Sequence, residues 1–295
     1  MSGARDSSRR AWLAGAAALA ASSWLAPARA AAPAPRVVSV GGALTEIVWA
    51  LGASDTLVGI DTTSTWPAAA RALPKVGYPR MLSAEGLLSL SPSLVLTTAD
   101  AGPATVLSQI SRAGVRLLTA APGHDIDSLI ANVSRVADGL GRPAAGAALS
   151  DRLRLEWAAT RAAVGSTSAP QVKPPRVLFV FSHAANNVQV AGTDTAADAM
   201  IRLAGGVNAM SGFAGYRPLA SEAVVAAAPD VILATREGLG ALGGVEALLG
   251  RPGLSLTPAA RSRRVLSFDT LYLLGFGPRL PQAVRELAAG LGTAA

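Results

Sequence analysis

The chain of 295 residues has no cysteine and only two histidines, His124 and His183. Without cysteine there can be no disulfide, no thiolate metal site and no cysteine nucleophile. No His-Glu-x-x-His, no Walker-type glycine loop and no Gly-x-Ser-x-Gly elbow occurs, so the common signatures of metallopeptidases, nucleotide hydrolases and serine hydrolases are missing. Gly238-Leu-Gly-Ala-Leu-Gly243 fits Gly-x-Gly-x-x-Gly by letter. Its lead-in is charged and it lacks the acidic partner expected about 20 residues on, so it reads as a loop. Nothing supplies a nucleophile–base set, and an enzyme is not expected. Basic residues outnumber acidic ones 26 to 19, but the arginines are scattered without a run of five or six, which argues against a nucleic-acid partner. Long apolar runs are scarce too: there is one, at the N-terminus.

That N-terminal run has the grammar of a secretory signal. Arg5, Arg9 and Arg10 precede an apolar stretch over residues 11–25, and Ala28-Arg29-Ala30 offers a cleavage site before a Pro-rich segment. The apolar stretch is shorter than the roughly 20 residues a membrane span needs. Residues 1–30 therefore predict a signal peptide and a periplasmic destination. Ser8-Arg9-Arg10-Ala11-Trp12-Leu13 also resembles a twin-arginine signal, so Sec and twin-arginine routes both stay open. Removing Arg5, Asp6, Arg9, Arg10 and Arg29 lowers the formal charge from +7 to +4.

The rest alternates short β-branched runs with Ala- and Leu-rich stretches. Strands are expected over 36–40, 56–60, 94–98, 115–119, 176–181, 231–234 and 265–268. Helices are expected over 45–51, 85–90, 105–114, 127–140, 195–204, 222–227, 245–249 and 281–291. This rhythm predicts βα units and mainly parallel sheets. From Pro143 to about Val164 one long helix carries Leu149, Leu153 and Trp157 on a single stripe, and residues 165–175 break it.

An internal repeat organises these pieces. Residues 81–98 align without gaps on residues 218–235, with Leu82/Leu219, Glu85/Glu222, Pro92/Pro229, Leu96/Leu233 and Thr98/Thr235 identical. Each copy reads as a short helix starting near Glu, a Pro that stops it, then a buried strand. Arg36-Val-Val-Ser-Val40 and Arg176-Val-Leu-Phe-Val180 open the two halves at nearly the same offset. The expected fold is therefore α/β: two similar Rossmann-like lobes with mainly parallel sheets, joined by one long helix. Residues 31–142 form the first lobe, 143–168 the linking helix and 169–295 the second lobe. A single helical connection absorbs little hinge motion, so small movement on ligand binding is expected.

The segment with distinctive chemistry is Lys75-Val-Gly-Tyr-Pro-Arg80, just before the first repeat copy. Tyr78 is one of three tyrosines and sits in loop chemistry between Gly77 and Pro79. A phenolate is a hard anionic ligand for ferric iron, and tyrosine is among the residues that hold haem iron. A guanidinium two residues on would favour the charged phenol and could hydrogen-bond it. On the residues alone, a half-buried loop tyrosine beside a surface charge is the favoured reading, because loop tyrosines are common.

Gly77-Tyr78-Pro79-Arg80-Met-Leu-Ser-Ala-Glu-Gly resembles the segment with the haem-ligating tyrosine in periplasmic haem-binding proteins of ABC importers. Val190-Ala-Gly-Thr-Asp-Thr195, Leu203-Ala-Gly-Gly-Val-Asn208, Gly243-Gly-Val-Glu-Ala-Leu-Leu249 and Leu273-Leu-Gly-Phe-Gly-Pro-Arg279 extend the resemblance over essentially the whole mature chain. The resemblance implies haem as the transported ligand, Tyr78 as axial iron ligand and Arg80 as its hydrogen-bond partner. It implies that Arg236 faces the cleft and that His183 faces it or ligates a second haem. It implies that Glu85 and Glu222 dock onto the permease of a permease–ATPase complex, with the protein acting as a monomer. The wider class also binds siderophores and corrinoids, so a ferric siderophore or a corrinoid is the alternative cargo.

Overall fold

Among the described residues, each expected β-branched run becomes a strand and each expected Ala- and Leu-rich stretch a helix. A computed structural model describes residues 35–167, 173–184 and 187–292; the segment read as an export signal lies outside the described residues. The first lobe runs β1 (Val37–Val40), α1 (Gly42–Ala50), β2 (Leu57–Ile60), α2 (Ala84–Leu88), β3 (Leu94–Thr97), α3 (Ala104–Arg112), β4 (Arg116–Thr119) and α4 (Ile126–Gly139). Its sheet has the order β2-β1-β3-β4 and is parallel throughout. The two central strands are buried at every position, as a sheet covered by helices on both faces requires.

The linker is α5 (Pro143–Thr167). Proline suits a first helical turn because its missing N–H would have no partner there. The helix runs past Gly165, where a break was expected. A single glycine costs a helix only about 1 kcal/mol, too little to end one that long. The expected stripe is the buried one: Leu149 and Leu153 are 4% and 0% exposed, and Trp157 packs on the same cluster.

The second lobe holds β5 (Arg176–Ala184), β6 (Asn187–Ala191), α6 (Ala196–Leu203), β7 (Val207–Asn208), β8 (Tyr216–Pro218), α7 (Ser221–Ala227), β9 (Val231–Thr235), α8 (Arg236–Ala241), α9 (Val245–Leu249), α10 (Pro258–Arg261), β10 (Val265–Phe268), α11 (Thr270–Leu274) and α12 (Leu280–Gly292). Its sheet order is β10-β9-β5-β6-β8, with β7 also paired to β5. The β10-β9-β5 part is parallel and repeats the first lobe; β6 and β8 are antiparallel additions. The expected strands and helices leave out β6, β7, β8, α10 and α11, and Gly238 to Gly243 is expected as a loop. Residues 236–241 form α8 instead, capped by the Thr235 hydroxyl, which accepts from the Gly238 N–H at 3.1 Å. Gly238 lets α8 lie against the end of β5, since an added Cβ would sit 3.1 Å from the Ser182 carbonyl oxygen.

The repeat is structural as well as sequential. Ser91 and Ala228, which match in the alignment, both turn left-handed, at φ 46 and 43. Leu87 and Val224, also matched, are fully buried. Arg36 donates to the Leu90 carbonyl at 2.7 Å, and Arg176 to the matching Ala227 carbonyl at 2.8 Å. One apolar cluster spans both lobes, taking in Val37, Leu44 and Leu96 from the first, Leu149 and Leu153 from α5, and Phe179, Leu233 and Leu287 from the second.

Candidate functional site

Tyr78 stands on a turn fixed from both sides. Upstream, Ile60 and Val76 exchange backbone bonds with residues 74 and 60, each at 2.9 Å, and Thr62 N–H donates to the Gly77 carbonyl at 3.0 Å. Downstream, Gly102 N–H donates to the Pro79 carbonyl and Leu82 N–H to the Gly102 carbonyl, both at 2.9 Å. Val76 and Leu82 are buried on either side, while Tyr78 keeps 43% of its surface open. Gly77 supplies the left-handed φ of 102 that lets the chain turn outward. The local sequence thus buries the flanks of the turn and presents the phenol.

Arg80 follows on the same turn. Its Nε donates to Asp100 Oδ2 at 2.8 Å and its Nη2 reaches the same oxygen at 2.7 Å. Among the described residues the guanidinium makes no hydrogen bond to Tyr78; the phenol acts on it only through its charge, as does Tyr216 of the opposite lobe. The Asp100 hydrogen bond, with these charges, holds Arg80 above its ordinary value. Burial pushes the Asp100 carboxyl up, but the Arg80 hydrogen bond and charge work against it and the carboxyl lies below the usual range. Tyr216 lies on β8 with its ring 5.8 Å from that of Phe181. Burial of part of its surface raises the phenol, and Arg80 acts in the opposite sense. Tyr78, Arg80 and Tyr216 thus bring the two lobes within electrostatic reach. Asp100 and Tyr216 escape the sequence reading, although the repeat sets Arg217, the neighbour of Tyr216, opposite Arg80.

Arg236 opens α8 at the carboxyl end of β9 and is exposed, in the region where open α/β sheets bind ligands. His183 lies near the end of β5, and its side chain is outside the described residues. Glu85 and Glu222 are both exposed in the first turns of α2 and α7, where the helix dipole also favours an acid. They stand on separate lobes.

The lobes meet below this surface. Leu271 packs so closely on Gly42 that an added Cβ would sit 2.4 Å from it. The His124 ring lies 5.0 Å from Phe276, and partial burial lowers its pKa. Glu46 of α1 accepts from Arg279 Nε at 3.0 Å, and the guanidinium lies 4.8 Å from the Trp66 ring and 4.9 Å from the Tyr272 ring. A depression of about 370 Å³ borders this cluster, and one of about 400 Å³ lies beside Arg116 and Arg135. Neither is lined by Tyr78, which stands on an open surface.

Comparison with known proteins points to one family whose members are described with more than one ligand: curated relatives include a cobalamin-binding protein of Halobacterium salinarum, 26% identical over 260 residues, 86% of this chain and 68% of that protein. Residues 37–270 match the family described as periplasmic binding protein. The periplasmic heme-binding protein BhuT in complex with two hemes is 53% identical, with 88% of this chain and 98% of that chain covered and a TM-score of 0.84. The periplasmic heme-binding protein RhuT from Roseiflexus sp. RS-1, in apo form, is 43% identical over 88% and 98% of the two chains, with a TM-score of 0.83. Among curated sequences, the uncharacterized ABC transporter substrate-binding lipoprotein YvrC of Bacillus subtilis is 26% identical over 258 residues, 87% of this chain and 79% of that protein. The two-lobed α/β architecture, the repeat and the match over residues 37–270 make this chain a member of the periplasmic binding protein family.

Proposed function

We propose that this protein binds haem in the shallow cleft between its lobes and hands it to an ABC permease–ATPase complex of the inner membrane. In this reading residues 1–30 direct export, and residues 31–142 and 169–295 form the two lobes around the linking segment 143–168. The observation that carries it is the Tyr78 turn, an exposed phenol on a backbone fixed at both ends with a guanidinium two residues on. Tyr78 would supply the axial oxygen to ferric iron. Arg80 would stabilise the phenolate through its charge and a donated hydrogen bond. Arg236, a cation at the positive end of a helix, gains a use if it faces a propionate of the haem. His183 is the candidate for a second contact or a second haem. Two solved relatives described as heme-binding, each aligned over 88% of this chain, support haem over other cargo. Glu85 and Glu222 are assigned to permease docking, one acid per lobe at matched positions.

The test is a parallel titration of the purified mature chain with ferric haem, a corrinoid and a ferric siderophore. A saturable change in the visible spectrum with haem, and none with the other two, is the expected result. Tight binding of the corrinoid or siderophore in place of haem would overturn the reading.

A further inference from the structure

We propose that Asp100 is a positioning residue of the ligand site: it grips one edge of the Arg80 guanidinium and leaves Nη1 free for whatever is bound at Tyr78. The inference rests on the reading of Tyr78 as the ligand anchor. Three observations carry it. Both Nε and Nη2 of Arg80 converge on a single oxygen, Asp100 Oδ2, at 2.8 and 2.7 Å, and Nη1 has no hydrogen bond among the described residues. Asp100 sits on a turn stitched to the Tyr78 turn: Ala101 N–H donates to the Thr98 carbonyl at 3.2 Å, Gly102 N–H to the Pro79 carbonyl at 2.9 Å, and Leu82 N–H to the Gly102 carbonyl at 2.9 Å. Tyr78, Arg80 and Asp100 therefore share one frame, and the charges that act on Arg80 are those of Asp100, Tyr78 and Tyr216.

The third observation is exposure. The two side chains are 63% and 56% open, and an ion pair so exposed contributes little to folding stability. A carboxylate beside a site for an anionic ligand also repels that ligand. Its use lies in what it does to Arg80. An exposed arginine samples many rotamers, and a ligand that needs the guanidinium must order it on binding. An arginine already ordered by Asp100 spares the ligand that cost.

The experiment measures haem release from the loaded full chain to an excess of a haem-scavenging protein, for wild type, Asp100→Ala, Asp100→Asn, Arg80→Ala and the Asp100→Ala/Arg80→Ala double variant. Asp100→Ala is expected to release haem roughly five- to tenfold faster, with an unchanged unfolding midpoint. Asp100→Asn keeps an oxygen acceptor for Arg80 and should restore the wild-type rate. In the Arg80→Ala background, loss of Asp100 should change nothing further. If Asp100→Ala binds haem as well as wild type or better while Arg80→Ala is impaired, Asp100 is not a positioning residue. If Tyr78→Ala and Arg80→Ala both leave spectrum and release rate unchanged, the Tyr78 reading itself has failed.

Discussion

Glu46 and Arg279 lie 233 positions apart and meet as a pair whose side chains are only 4% and 23% exposed. Burial pushes the Glu46 carboxyl up, and the Arg279 hydrogen bond works against it. The rings of Trp66 and Tyr272 cover the guanidinium, so removing the acid leaves a largely buried cation without its partner. Glu46→Ala is expected to cost about 3 kcal/mol of stability, read as a lower urea midpoint; an unchanged midpoint would contradict that role for the pair. Glu46→Gln, which keeps an acceptor, should cost less. Nothing in the sequence marks this pair, because its members come from opposite lobes. Asp100 meets Arg80 only once the turn after β3 is in place, and Tyr216 gains meaning only once β8 is. The turn that carries Tyr78 was legible because its signal is local, with glycine, tyrosine and proline in a row just before a capped helix; the role proposed for the phenol came from resemblance.

At the scale of elements, the long helix α5 bears the most. Leu149 and Leu153 face a cluster drawn from both lobes. Leu153→Ala should therefore cost about 2–5 kcal/mol, and the chain should still melt in one transition by circular dichroism. A cost below about 1 kcal/mol, or two separate transitions, would mean that the lobes do not share a core in the way the packing indicates. The sequence showed this helix through its apolar stripe and showed the parallel strands through their β-branched runs. It hid β6 and β8 for physical reasons. β8 has three exposed residues and ends in Pro218, and such a strand carries neither alternation nor a buried face. The glycines at 238 and 240 hid α8, because a helix of that composition is held by packing against β5 and by the Thr235 cap, not by propensity.

For the whole molecule, a shared core, a helical linker and close contacts such as Leu271 on Gly42 oppose wide hinge motion. Small-angle scattering should give radii of gyration for the apo and haem-loaded chain that agree to within about 1 Å; a larger compaction would contradict the rigid-lobe picture. Glu85→Ala and Glu222→Ala should leave haem binding intact and weaken stimulation of the reconstituted transporter's ATPase, because each acid is exposed in the first turn of its helix, one on each lobe. Loss of haem binding in either variant would argue against docking as their role. The two-lobed plan was legible at this scale because the repeat copies its buried residues, its proline and even the arginine that ties each first strand to its helix. The central claim is that Tyr78 holds ferric haem, and the visible spectrum of the loaded protein tests it most directly. Wild type should show bands of a tyrosinate-bound ferric haem, and Tyr78→Ala should lose them along with at least tenfold in affinity, about 1.4 kcal/mol. Identical bands and affinity in the two proteins would contradict the claim.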